Sequence, residues 1–179
     1  MPTKTGKAVG GAAALTAMLA IAAAVNVAAP IAEKHEGYRG AAYYDPAHVL
    51  TQCYGETKEI DPSRIYSKDE CAKKLRQRMA KDYAPIIGKC IPRFVGEDWN
   101  RYTNMFGALL DASYNAGPYA VCQAYAPLVN SGQYLTVCNK LPGWYTTARN
   151  RATGVRKTYP GLVKRRKDEQ AVCLTGLPI

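Results

Sequence analysis

The stretch WNRYTNMFGALLDASYNAGP, residues 99–118, decides the fold. Trp99, Tyr102, Met105, Phe106, Leu109 and Leu110 recur at helical spacing with apolar neighbours nearly all round, the mark of a central buried helix. It should stop at Asn115-Ala116-Gly117-Pro118, where a glycine closes one helix and a proline can open the next. Working outward, short helices are expected over Tyr119 to Val129 and Tyr134 to Leu141. A basic helix over Leu162 to Leu174 is expected last, with Leu162, Val163 and Val172 inward and Lys164, Arg165, Arg166 and Lys167 partly outward. On the other side, Ser67 and Glu70 form a capping box, and Cys71, Leu75 and Met79 make one apolar stripe. That helix should reach about Asp82 or further and end near Pro85 or Gly88. Tyr43 to Thr57, with its aromatics around Asp45-Pro46 and Gly55, reads as strand and turn. The fold class is α+β: mostly helical, with a small antiparallel hairpin near residues 43–57.

A chain of 179 residues is long enough for one domain with a real core, and 15 glycines with 11 prolines exclude a collagen-like or disordered chain. The 24 Lys+Arg against 14 Asp+Glu leave a formal charge of +10, which calls for an anionic partner: nucleic acid, anionic lipid or an acidic polymer. Cysteines at 53, 71, 90, 122, 138 and 173 are even in number and contain no C-x-x-C pair, so disulfides and an oxidising compartment are expected.

The amino end agrees with export. Ala8 to Ala32 is a run of 25 uncharged residues preceded by Lys4 and Lys7, long enough to span a bilayer. Twelve of those residues are alanine, however, so the preference for lipid is marginal. Three readings stay open: a cleavable signal peptide with a site near Val27-Ala28, a permanent anchor, and a segment that engages the export machinery but holds weakly in the bilayer. All three place the amino terminus in the cytoplasm and everything after Glu33 outside it. The exported part carries +8, and a cell envelope is then a better partner than nucleic acid.

No P-loop, G-x-S-x-G or H-E-x-x-H is present, and His35 and His48 lack metal-ligand spacing, so neither metal nor cofactor is expected. What remains is carboxylates. Glu36 falls where a short helix should end, Asp45 follows nine residues later at a turn, and Thr51 six residues beyond that, at the entrance to a strand. A helix end followed by a hairpin folds back, so both carboxylates can face one cleft. Glycosidic hydrolysis wants such a pair: one acid to protonate the leaving oxygen, and one ionised group to manage water or the developing positive charge.

Glu36-Gly37-Tyr38-Arg39, Tyr44-Asp45, Leu50-Thr51 and Tyr54-Gly55 resemble the catalytic signature of the phage-type lysozymes, the endolysins of glycoside hydrolase family 24. Ala108 to Gly117 resembles the family's central helix with its Asn-x-Gly end, and Gly161 to Lys167 its late basic segment, so the resemblance spans about residues 33–174. It implies a lysozyme-like catalytic domain over 33–179, cleaving the β-1,4 bond between N-acetylmuramic acid and N-acetylglucosamine in peptidoglycan, as a monomer. Carried over, Glu36 is the general acid, Asp45 the second carboxylate and Thr51 its helper; Arg165, with Arg166 the alternative, pairs with Glu36. Where relatives often read Gly-His-Thr, this chain has Gly55-Glu56-Thr57, and Glu56 is expected at the surface.

Residues 1–32 also resemble the signal-anchor-release segment of a subset of these endolysins. That implies attachment to the host inner membrane through residues 8–32, then release to the periplasm. Some members of the subset regulate themselves with an anchor cysteine; none precedes Cys53 here, so fixed disulfides are expected, Cys53–Cys71 among them. Two other activities remain open. A lytic transglycosylase would leave Asp45 and Thr51 without a role, and a cationic wall-binding protein would not need Glu36.

Overall fold

The structure is a computed structural model and describes residues 6–45, 48–149 and 154–177. Lys4 and Pro46, used above, lie outside the described residues. Alanine has the highest helix propensity of any residue, and the alanine-rich amino end accordingly forms one helix, α1 (Gly6–Glu36), which crosses residue 32 without interruption. The expected short helix before Gly37 is thus the end of a 31-residue one. Residues 11–19 of this helix are mostly exposed, with Leu15, Met18 and Leu19 in solvent. From Ala20 onward it enters the core: Ala20, Ala24, Val25, Ala28, Ala29, Ile31 and Ala32 are buried.

The partner of that buried half is α4 (Thr103–Ala116), the expected central helix, entered through a 3₁₀ turn over Trp99–Tyr102. Every residue from Met105 to Ser113 is buried. The two helices touch at Gly107, where an added Cβ would sit 2.4 Å from Val27 Cβ and 3.1 Å from the Ala24 carbonyl oxygen. Only a residue without a side chain leaves room for backbones this close.

The capping box forms as expected: Ser67 accepts from the Glu70 amide, and the Glu70 carboxylate accepts from the Ser67 amide, opening α2 (Lys68–Arg78). The helical stretch runs through Pro85 and ends at Cys90, near Gly88 as expected. A π-helical turn, Met79–Tyr83, widens the helix, and α3 (Ala84–Cys90) continues it. The wide turn sets Pro85 in the first turn of α3, where a missing N–H costs little.

The hairpin pairs β1 (Arg39–Tyr44) with β2 (Leu50–Cys53), Tyr43 opposite Thr51. It begins earlier than expected, at Arg39, and a Gln52–Glu56 bridge folds the following turn back. The buried Gln52 side chain donates to the Gly40 and Arg64 carbonyls at 3.0 and 2.8 Å, holding the hairpin to the next loop.

Beyond α4 come α5 (Pro118–Asn130) and α6 (Tyr134–Lys140), close to expectation. A second hairpin, β3 (Thr147–Arg149) with β4 (Arg156–Thr158), was not expected. The last helix, α7 (Pro160–Leu174), corrects the reading of the basic segment: Arg165, Arg166, Glu169 and Cys173 are its buried residues. The two arginines turn inward because carboxylates wait there, Asp111 from α4 and Glu169 from α7 itself. Three disulfides tie the elements: Cys53–Cys71, strand to helix, as expected, with Cys90–Cys122 and Cys138–Cys173 between helices.

Candidate active site

Glu36 is the last residue of α1, and its position follows from the packing of α1 on α4 and α7. One carboxylate oxygen accepts from Arg165 Nη1 at 2.5 Å. Arg165 is itself clamped from behind: its Nε and Nη2 donate to the two oxygens of Asp111 at 2.9 and 2.8 Å. Burial lowers the proton affinity of this guanidinium, but the Asp111 and Glu36 carboxylates more than reverse that and hold it above the ordinary arginine range. Glu36 is thereby fixed by Arg165, whereas among the described residues Arg166 pairs with Glu169 and Asn115 instead.

Two cavities meet at this carboxylate. One, about 290 Å³, is polar and bounded by Glu36, Glu56, Lys58, Arg78, Tyr83 and Tyr114 among others. The other, about 440 Å³, lies toward α7 and is bounded by His35, Glu36, Tyr159, Leu162 and Arg165 among others. Among the described residues, Glu36 and Asn115 border both. An added Cβ at Gly55, itself at φ +76°, would sit 3.1 Å from Glu36 Oε2, so the turn after β2 forms the wall against the acid.

Glu56, expected at the surface, is buried inside that wall. Its Oε2 accepts from Arg78 Nε at 2.8 Å and its Oε1 from the Lys58 amide at 2.8 Å. Arg78 also donates to Asp82 at 2.5 Å, and the two carboxylates raise its affinity for its proton further. Sequence reasoning missed the pair because the partners lie 22 residues apart on different elements. The Tyr114 hydroxyl donates to the Tyr54 carbonyl at 2.7 Å; burial, with Glu56 and Glu36 nearby, pushes its pKa up.

Asp45 and Thr51 sit on the hairpin. Asp45 follows β1 and closes the turn: its Oδ1 accepts from the Val49 amide at 2.8 Å, and its own amide donates to the Val49 carbonyl at 3.0 Å. Thr51 is buried and its hydroxyl donates to the Val49 carbonyl at 2.9 Å. Neither residue borders the two cavities that meet at Glu36. The structure therefore brings Glu36 and Arg165 together, adds Asp111, Glu56 and Asn115, and leaves Asp45 and Thr51 in hydrogen bonds within the hairpin. His35 is hydrogen-bonded to Asp168 at 2.7 Å. Among the described residues no group of three His, Cys, Asp or Glu could hold a metal ion.

The profile of the phage lysozyme family matches residues 33–169. The chain belongs to the phage lysozyme family. This lysozyme is 32% identical over 146 residues to a SAR-endolysin of Bacteriophage PS119, covering 79% of this chain and 77% of that one. It is 30% identical over 186 residues to the SAR-endolysin of Enterobacteria phage P21, covering 98% and 99%. Among solved structures, the endolysin of Escherichia coli O157:H7 phage FAHEc1 superposes with a TM-score of 0.68 at 22% identity, over 86% of this chain and 94% of that one. The active form of the P1 phage endolysin Lyz gives 0.61 at 23%, over 82% of each; both likenesses concern the fold. The enzyme is a glycoside hydrolase of the lysozyme type, a phage endolysin directed at peptidoglycan.

Proposed function

We propose that this lysozyme cleaves the β-1,4 bond between N-acetylmuramic acid and N-acetylglucosamine with Glu36 as general acid. The observation that carries the reading is the Glu36–Arg165–Asp111 chain, which holds one carboxylate oxygen at the meeting point of two cavities. A glycan lying across both puts its scissile oxygen at Glu36. Asp45, supported by Thr51, is the second carboxylate, managing water or the oxocarbenium-like charge from the hairpin side. Arg165 serves positioning: clamped from behind by Asp111, it holds one Glu36 oxygen in place at the junction.

The test is the full-length enzyme beside Glu36→Gln on purified peptidoglycan, followed by turbidity and mass spectrometry of the products. The expected result is clearing by the wild type alone, with reducing muramic acid ends. Anhydro ends would move the enzyme to the transglycosylases, and clearing by Glu36→Gln would remove the acid from Glu36.

Residues 8–32 are proposed as an anchor that leaves the host inner membrane for the periplasm. The helix from Gly11 to Glu36 is long and apolar enough to cross a bilayer. Cleavage near Ala28 would strip Ala20, Ala24, Val25 and Ala28 from the core, which supports release over cleavage. Leucine at the exposed positions 12, 13 and 14 leaves the folded core untouched. Each leucine adds roughly 0.5 kcal/mol of preference for lipid, so the triple variant shifts the distribution about tenfold toward the membrane fraction. Unchanged release in fractionated cells would sink this reading.

A further inference from the structure

The catalytic reading uses Glu36, Arg165 and the hairpin, and leaves Asn115 unassigned. Asn115 stands in the last turn of α4, half-buried, and with Glu36 it forms the boundary between the two cavities. Its side-chain oxygen is already occupied. Arg166 Nη2 donates to Asn115 Oδ1 at 2.5 Å, and Arg166 is fully buried, its Nη1 held by the equally buried Glu169. Arginine has donors and no acceptor, so the amide can present only its oxygen to Arg166. Its Nδ2 makes no hydrogen bond within the described protein, on a residue that borders both cavities. The result is a donor-only group beside the acid, its flip state fixed by the buried Arg166 guanidinium.

We propose that Asn115 is a substrate-binding residue whose Nδ2 donates to the carbonyl oxygen of a 2-acetamido group on the sugar at the cleavage junction. A donor-only site selects an acceptor, and an amide carbonyl is the strongest neutral acceptor such a sugar carries. Arg166 and Glu169 are positioning residues that act through it. A purely structural Asn115 would need only its oxygen, for Arg166. Aspartate keeps that oxygen and loses the donor; alanine loses both.

The inference rests on the glycan crossing the Glu36 junction, and the experiment separates the two. The full-length enzyme and its Asn115→Asp, Asn115→Ala and Glu36→Gln variants are assayed on peptidoglycan and on the same polymer partly de-N-acetylated, with thermal unfolding followed for each. Loss of one hydrogen bond to the substrate lowers kcat/KM about tenfold on the acetylated polymer for both Asn115 variants. Asn115→Asp should unfold at or above the wild-type temperature, because its carboxylate still pairs with Arg166. On the de-N-acetylated polymer the gap between wild type and Asn115→Ala should close to about twofold or less, the coupling expected of two groups in contact. Full activity in either Asn115 variant, or an equal loss on both polymers for Asn115→Ala, overturns the inference while an inactive Glu36→Gln leaves the acid in place. An active Glu36→Gln overturns both.

Discussion

Gly107→Ala is the sharpest test of how α1 and α4 are built into one core, because two known effects predict opposite signs. Gly107 lies inside α4, where replacing glycine by alanine ordinarily stabilises a helix by about 1 kcal/mol. The new Cβ, however, would lie 2.4 Å from both Cβ and Cγ1 of Val27 and 3.1 Å from the Ala24 carbonyl oxygen. Carbon atoms pack at roughly 3.5–4.0 Å, so the helices must part by about 1 Å along a face lined by Ala24, Ala28 and Ala32. Overpacking on that scale costs about 1–3 kcal/mol, and rigid backbone on one side argues for the upper half of that range. The net loss is then about 1–2 kcal/mol, which lowers Tm by roughly 2–8 °C in a domain of this size. Gly11→Ala is the matched control, in a helix and with nothing within 4 Å of its added Cβ, so only the favourable term remains. Thermal unfolding followed by far-UV circular dichroism should give a lower Tm for Gly107→Ala and an equal or higher one for Gly11→Ala. A Gly107→Ala protein as stable as the wild type would refute the close helix contact, and with it the place of residues 20–32 in the core. Val27→Ala in the same chain should rescue only part of the loss, since its own Cβ stays in the way.

Three other outcomes follow from buried charge and covalent ties. Burial and the Asp111 carboxylate push Glu169 up to about 9, with Arg166 pulling only partly against them, so the native state holds a proton that the unfolded chain gives up near 4.5. Stability from this group therefore falls as pH rises from about 4.5 to about 9, and Glu169→Gln should flatten that limb of a Tm–pH curve. On the acid side the direction reverses: Asp168, desolvated but more strongly favoured by Lys34 and His35, and Asp82, favoured by Arg78, titrate below their usual 3.8. Their contribution is complete above that value and is lost as pH falls through the lower folded values, in both wild type and Glu169→Gln. Arg78→Met leaves Glu56 buried without its cation and should cost roughly 3 kcal/mol, whereas pairing it with Glu56→Gln should cost less than the two singly; urea unfolding of the four proteins reads the coupling. Opening Cys138–Cys173 by paired serine substitution frees a 35-residue separation and should cost about 4 kcal/mol of stability, measured the same way.

What the sequence showed and what it hid divide along one physical line. Local signals were legible: the Ser67–Glu70 box, the apolar faces of α4, and the glycine and proline between α4 and α5 depend on residues within a turn or two of one another. Contacts made at a distance were not. Periodicity sends Arg165 and Arg166 partly outward, because nothing in residues 160–174 announces that Asp111 lies on the facing helix. Exposure is the ordinary fate of a glutamate, and only the fold brings Arg78 to Glu56. The short polar strands β3 and β4 carry no alternation that could distinguish them from loop. The alanine run is the instructive case, for its composition admits two meanings. As a membrane segment it looks poor, since alanine contributes little to insertion. As a helix packing against Gly107 the same poverty is what permits contact: a larger side chain at Ala24 or Ala28, both fully buried, would hold α1 off α4 and carry Glu36 away from Arg165. A helix with weak affinity for lipid and small side chains for a close interface meets both demands at once. The position of the acid is therefore set along the length of α1, well before Glu36 itself.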